Sequence, residues 1–471
     1  MSAPSESADL VVIGGGAAGY SAAVEALALG ASVVLAEKGT EPGGSSVLSG
    51  GSFAFAGTDM QAEAGIEDSE AILRQDLLDD GGDTVDPALV DLYVREQMDC
   101  YRWLRELGVG FDQVSHSGGQ SRPRSHGVKI RAAFQLIKAR AESYPTFTSL
   151  LEEPAVSLVL DGGAVRGVVT RDGAGKQTTW TTGAVLLATG GFSRGARPIA
   201  TFAPELLGAR LMGGKWNTGD GLYLAMSAGA DLCDVGEIKP TYGVSAELPG
   251  YPSEPTLLNG LYRGGIVVNK EGRRFVDESI SYKLIGSICL KETDRVGYQI
   301  FDQKTMAQSI PDKLVNNYSG GLANGYVRKA DTIAEIAEIA GIDVDVLVAT
   351  VARYNEFAEA GVDSDFGRTS LSSGYGELAK IDSPPYYVYP STAGVTSTYG
   401  GVRVDDHMRV RHVNGSVIDG LWAAGELVGG FHAHGYMSGS SLAKAVIFGR
   451  VAAADAVAAV NAARPTLSSE R

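Results

Sequence analysis

Residues 9–37 read DLVVIGGGAAGYSAAVEALALGASVVLAE, and this stretch decides the fold. Asp9 to Ile13 is a continuous apolar run bounded by glycine, the pattern of a short buried strand. Gly14 to Leu29 reads as a turn and a helix, and Gly30 stands where a C-terminal cap would. Ser32 to Ala36 is the next strand. Together they make one βαβ unit of about 30 residues, the size a dinucleotide fold requires. Gly14, Gly16 and Gly19 form GxGxxG between the first strand and the helix. The first glycine permits the tight turn, the second lets the backbone approach a pyrophosphate, and the third lets the helix pack on the strand. Ala17 and Ala18 open the helix, whose N-terminus faces the phosphates. Glu37 ends the second strand, where a carboxylate reaches ribose hydroxyls.

The chain has 471 residues, which predicts two or three domains. Its 44% hydrophobic and 20% charged residues are those of an ordinary globular protein. Glycine, at 62 residues, is the outlier, and it clusters near 14–19, 43–57, 190–191, 213–221, 400–401 and 425–449. Separated clusters suggest backbone packed close to a large ligand. The net charge of −16 argues against nucleic acid or an anionic membrane as partner. Cys100, Cys233 and Cys289 are far apart and odd in number, which predicts free thiols in a reducing, cytoplasmic setting. No CxxCH or cysteine cluster predicts haem or an iron–sulfur centre, and no metal site is predicted. The N-terminus has neither the basic region nor the apolar run of a leader. The stretch from Leu442 to Ala463 carries Lys444, Arg450 and Asp455, which predicts a buried helix rather than a membrane span.

The pattern predicts helices over 69–108 and 131–144, then strands over 155–188 with a hairpin turn at Gly162–Gly163. Helices follow at 220–230, 331–340 and 343–360, the last two with Asp331 and Asp343 as N-caps. Pro384–Pro385 marks a break. The expected fold class is α/β: a Rossmann-type dinucleotide-binding domain over residues 1–236 and 386–471, interrupted by an α+β cap domain over 237–385. The basic stretch SHSGGQSRPRSHGVKIR at 115–131 reads as a solvated loop, or as a substrate-facing one in which Arg122, Arg124 or His126 meets a carboxylate.

Three further segments favour FAD over NAD: EPGGSSVLSGGS at 41–52, ATGG at 188–191 and AAGE at 423–426. With GDGLYLAMSAGA at 219–230, GGIVVNKEGRRFVDE at 264–278, YGGVRVD at 399–405 and GLWAAGELVGG at 420–430, the chain resembles one flavoprotein family over nearly its whole length. That family holds the fumarate reductases, the succinate dehydrogenase flavoprotein subunits and the 3-ketosteroid dehydrogenases. The resemblance implies FAD contacts from Lys38 beside Glu37, and from Gly44, Ser45, Ser46, Ser49, Gly50 and Gly51. It also implies Ala155, Val156, Thr189, Gly190, Gly191, Asp220, Gly425 and Glu426. Ser440, Ser441 and Leu442 open the last helix, whose N-terminus would lie beside the flavin N1–C2=O edge. Covalently flavinylated members use a His in the segment matching 43–52; none stands there, so FAD is expected to be non-covalent.

The substitutions at the active-site motifs point to the reaction. Four residues past Glu278, where fumarate reductases carry a proton-donating Arg, stands Tyr282, as in the ketosteroid dehydrogenases. In GGFHAHGYMSGSSL, His432 is kept, but Gly435 and Tyr436 replace the Asn-Arg pair that grips a substrate carboxylate. Lys239 replaces a His in KPT. The resemblance to ketosteroid dehydrogenases implies that Tyr436 and the Gly439–Ser440 backbone hold a carbonyl oxygen. Ser438 resembles the Tyr-x-Ser of the 4(5α) branch. Tyr282 would take the α-proton, helped by Lys239, Lys283, Tyr242 or His434, and the β-hydrogen would pass to FAD as hydride. The expected function is flavin-dependent desaturation of a cyclic ketone: a 3-ketosteroid or a smaller ring ketone such as 4-oxocyclohexanecarboxylate. The expected partners are that small molecule and an external electron acceptor (oxygen, a quinone or a carrier). A reductase running in reverse and a flavin-binding module without turnover are the alternatives. Plain structural roles compete at each position: a packed Tyr282 or Tyr436, backbone-satisfying His432 and His434, an ion-paired Lys239.

Overall fold

The computed structural model describes residues 5–238, 240–311, 314–371 and 375–464. Lys239 therefore lies outside the described residues. The chain forms two compact units, one from residues 1–204, 213–238 and 397–471, the other from 205–212 and 239–396.

The first unit is built on β1 (Leu10–Ile13), α1 (Ala17–Ala28) and β2 (Val33–Ala36), with both strands buried throughout. They sit in a six-stranded sheet ordered Arg409–Arg411, Val417–Ala423, Val185–Leu187, β1, β2, Phe147–Leu150. Every pairing in it is parallel except the edge strand Arg409–Arg411. Strands buried on both faces explain the unbroken apolar runs in the sequence. Gly19 has no alternative residue, because a Cβ there would lie 1.9 Å from the Gly14 carbonyl oxygen. A second sheet holds Ser5–Ser7, Gln177–Thr181, Ala164–Arg171 and Ala155–Asp161, with Gly162 and Gly163 at positive φ in the hairpin.

The predicted helical stretch 69–108 is two helices, α2 (Glu70–Gly81) and α3 (Pro87–Glu106). Gly82, at φ 69°, ends the first, and Asp86 with Pro87 starts the second. The C-terminal helix Ser440–Ala463 is long and apolar enough to cross a membrane by length and composition. It packs on α1 so closely that a Cβ at Gly449 would lie 2.4 Å from the Ala18 carbonyl oxygen. The three cysteines are free and buried.

The 115–131 stretch corrects the expectation of a solvated loop. Ser125–Gly127 is the middle strand of a three-stranded sheet, between Ser52–Ala54 and Val114–Ser115. Arg124 is fully buried, 2.9 Å from Asp68 and 2.7 Å from Asp76. His126 is buried among Phe55, Tyr101 and Phe111 and lies 2.8 Å from the Thr58 hydroxyl. Arg122 alone of the three is exposed. The carboxylate partners of Arg124 stand some fifty residues upstream, so spacing within the stretch could not reveal them.

The second unit is α+β. Its spine is the ten-residue strand Tyr386–Val395, which pairs with Gly297–Asp302, Thr241–Ser245, Arg328–Ala330 and Arg210–Leu211. Because this strand belongs to the second unit, the chain returns to the first at Ser397 rather than at 386. Residues 205–212 join the second unit through the Arg210–Leu211 pairing, which no local pattern announces. Helix Ile333–Ala340 is capped by Thr332, in a capping box with Glu335, not by Asp331. Asp343 does cap Val344–Ala360, accepting from Val346 N at 3.0 Å. A buried charge cluster joins Arg274 to Glu278 and Asp363 (2.5 and 2.7 Å) and Arg368 to Glu278 (3.3 Å).

Candidate cofactor and substrate site

In the first unit the residues around GxGxxG form a polar cradle. Gly14 has φ 108°, and a Cβ there would lie 2.4 Å from the Ala188 carbonyl oxygen, at the head of ATGG. The buried Glu37 carboxylate accepts from Gly15 N (2.8 Å) and Gly39 N (2.6 Å). Each oxygen keeps a further lone pair for a hydroxyl donor. Gly16 caps α1 without a side-chain bond, and Ser46 Oγ accepts from Ala17 N at 3.1 Å. The remaining N-terminal amides suit a phosphate.

Segment 41–52 closes over this end. Ser45 Oγ accepts from Gly214 N at 3.0 Å, and Ser49 Oγ donates to Ser46 O at 2.8 Å. A Cβ at Gly51 would lie 2.3 Å from Val128 O, whereas one at Gly44 or Gly50 would meet nothing within 4 Å. Lys38 Nζ donates to Thr218 and Asp220, each at 2.5 Å, and so ties β2 to the helix Asp220–Ser227. Glu153 N donates to Glu37 O, which brings Ala155 and Val156 to the same end of the sheet. Thr189 packs on Gly221, where a Cβ would lie 2.0 Å from its hydroxyl.

The AAGE turn completes the cradle from the far end of the chain. Gly425, at φ 75°, sits against Ala18. Glu426 accepts from Thr398 N (2.9 Å) and Asn217 Nδ2 (3.1 Å), and burial pushes its pKa up against those bonds. Gly190 faces Asn217, and Gly191 faces Thr398 and Glu426, all too closely for a side chain. Asn217 Oδ1 is buried with no hydrogen-bond partner, an acceptor that an added N–H or O–H donor would satisfy. This orphan, the open faces of Gly44 and Gly50 and the phosphate-competent helix end together fit FAD. Asn217, Thr398 and Lys444 were not legible as site residues, since only the folded chain brings them here. Lys444 is buried, donates to Val428 O at 2.7 Å, and is pushed down to about 8 by burial.

The loop 431–439 lies between this turn and the last helix. His432 Nε2 is 2.8 Å from Ser440 Oγ, which itself donates to Met437 O at 2.6 Å. The half-buried Tyr436 ring stacks on Tyr399 at 5.7 Å and contacts His432 at 5.3 Å. Burial raises the Tyr436 pKa, opposed by hydrogen bonds from the Ser441 side chain and the Gly439 backbone. The Gly439 backbone thus lies within hydrogen-bonding reach of the Tyr436 phenol. Gly439, at φ 87°, caps the last helix, where a Cβ would lie 2.9 Å from Ala54 N. Ser438 is held by its backbone, its N donating to Gly118 O and its O accepting from Gln120, both at 2.8 Å. Gly435 sits on the end of α2, where a Cβ would be 1.8 Å from Asp80 O. Asp80 is pushed up to about 6 by burial and by Asp76.

In the second unit Tyr282 is half-buried at the start of helix Tyr282–Cys289. Lys283 is buried, donates to Thr241 Oγ1 at 2.7 Å, and is pushed down to about 7 by burial. Of the other expected helpers, Tyr242 is fully buried, accepts from Ser391 at 2.7 Å, and is pushed well up by burial. His434 is exposed on the first unit, 3.1 Å from Glu237.

A nucleotide cradle assembled from both ends of the chain, with an α+β unit inserted, defines a flavoprotein oxidoreductase. Residues 9–442 match the FAD binding domain family, and the chain belongs to it. It is 32% identical over 461 residues to a cytochrome-type fumarate reductase of Shewanella frigidimarina, covering 97% of this chain and 78% of that one. Its structure is similar to the open conformation of a flavocytochrome c3 fumarate reductase, with TM-score 0.85, 27% identity and coverage of 97% and 79%. It is also similar to the 3-ketosteroid Δ4-(5α)-dehydrogenase of Rhodococcus jostii RHA1, with TM-score 0.74, 25% identity and coverage of 96% and 97%. The chain is an FAD-dependent oxidoreductase acting on CH–CH groups.

Proposed function

We propose that this enzyme desaturates a ring ketone, removing one hydrogen from the carbon α to the carbonyl and one from the adjacent β-carbon. The observation that carries the reading is the loop 431–439. Where fumarate reductases carry the Asn-Arg pair, it offers Gly435 and Tyr436, with the Gly439 amide close to the phenol. A phenol and an amide suit a neutral carbonyl oxygen better than a carboxylate, which calls for a bidentate cation. A carbonyl α-proton becomes acidic when the developing enolate oxygen is stabilised. Each preorganised donor contributes about 2.7–4 kcal/mol to that. Tyr436 and the Gly439 amide hold the oxygen, and His432 positions the loop through Ser440. Tyr282 takes the α-proton. Held without a covalent link by Glu37, the helix end at Gly16 and the Glu426 turn, FAD would supply the hydride acceptor for the β-hydrogen, and an external acceptor would take the electrons onward. The product is an α,β-unsaturated ketone. The ketosteroid dehydrogenase similarity supports a ring ketone as substrate.

The reverse reaction, enone reduction, is the second reading, favoured by the reductase names of the sequence relatives. The same residues serve it, with Tyr282 returning the proton. Anaerobic mixing separates the two. Bleaching of the oxidised flavin band by cyclohexanone-type or 3-ketosteroid substrates supports desaturation. Reoxidation of reduced enzyme by enones alone supports reduction. Reaction with fumarate or urocanate and with no ketone or enone would sink both.

A further inference from the structure

We propose that Lys283 holds Tyr282 ready to give up its phenol proton, acting as the positioning cation of the second unit. This rests on the reading of Tyr282 as the base. Ser281 caps the helix Tyr282–Cys289. The Lys283 ammonium turns into the unit, donating to Thr241 Oγ1 at 2.7 Å and to Thr396 Oγ1 at 3.4 Å. The two hydroxyls are 2.9 Å apart. Thr241 opens a strand that pairs with Tyr386–Val395, and Thr396 follows that strand directly, so two elements of one sheet fix the ammonium. It lies 5.5 Å from the centroid of the Tyr282 ring. A cation fixed at that range favours phenolate over phenol, and the contact with the ring face orients it.

Lysine is costly to bury, and here burial draws its proton affinity down to about 7. Among the described residues, the groups around Lys283 and Tyr282 named here do not supply an alternative charge. Tyr242 and Cys289 are pushed above their ordinary values by burial and stay neutral. Tyr389 does the same on the facing strand. Glu278 is committed to Arg274 and Arg368, and Tyr262 donates to Ile280 O.

The test is an ultraviolet titration of tyrosinate in the FAD-loaded enzyme, with the Y282F titration subtracted to isolate one residue. The expected result is a tyrosine ionising below the ordinary value near 10. K283M should raise that midpoint by about one pH unit or more, and K283R should largely restore it. The acid limb of kcat/KM should move in step. K283Q, which keeps a donor for Thr241, replaces K283M if the latter fails to retain FAD. An unchanged midpoint in K283M or K283Q overturns the proposal, as does a shift that appears in K239M instead. If Y282F retains full turnover while the midpoint still follows Lys283, the base reading fails and the pairing stands.

Discussion

Asn217 Nδ2 donates to Glu426 Oε2 at 3.1 Å, joining residues from two distant stretches of the chain in one cradle. Asn217 Oδ1 remains without a partner in the same place. Asn217→Ala should therefore weaken FAD binding, since it strips a donor from a buried carboxylate. A hydrogen bond to a charged group contributes about 1.5–3 kcal/mol, which corresponds to roughly 10- to 100-fold in affinity. Flavin fluorescence on release from the protein measures it. Unchanged affinity would remove Asn217 from the site.

The buried Arg124 bridges Asp68 and Asp76 beneath the segment that holds Ser438. Arg124→Met leaves a carboxylate buried without its cation, which typically costs about 3–5 kcal/mol. Urea unfolding should show that loss. Combining it with Asp68→Asn should recover part of it, because the neutral amide no longer needs the charge.

Gly19→Ala should abolish FAD loading and lower yield, because its Cβ would fall inside the Gly14 carbonyl. Gly30→Ala meets no atom within 4 Å, though its φ of 86° still makes it strained. It should cost only about 1 kcal/mol by thermal unfolding and leave the flavin spectrum unchanged.

Asp80 supplies a pH dependence of stability. Its carboxyl is raised from 3.8 to about 6 in the folded protein, so the folded state holds its proton more tightly than the unfolded one. That contribution is complete below about pH 4 and is lost as pH rises through 6. The shift corresponds to about 3 kcal/mol at most. Asp80→Asn should therefore gain thermal stability relative to wild type at pH 7.5 and show little difference at pH 4. A wild-type advantage at pH 7.5 would contradict the assignment.

The βαβ unit was legible because turn, helix and strands all lie within one short window, and Gly14, Gly19 and Gly30 in it each answer to a backbone need. The Asp343 cap and the Gly162–Gly163 hairpin were legible for the same reason. What escaped depended on partners far along the chain. Arg124 looked like a solvated cation until Asp68 and Asp76 closed on it. Asn217 and Lys444 carried no motif of their own. Residues 205–212 and 386–396 went to the second unit because strand pairing, rather than composition, decides membership there. Tyr436 and Gly439 were paired beforehand only through the resemblance to the ketosteroid dehydrogenases. The surroundings of Lys283 were not legible, since Thr241 and Thr396 reach it only through the sheet.

Strand Val417–Ala423 pairs with Val185–Leu187, the Gly425 turn rests on Ala18, and the last helix lies against α1. A ribosome-bound chain that still lacks these pieces exposes one flank of Val185–Leu187 and one side of α1, and it has no carboxylate at position 426. Where Glu426 and the last helix hold the flavin, cofactor capture is expected to wait until both have been synthesised.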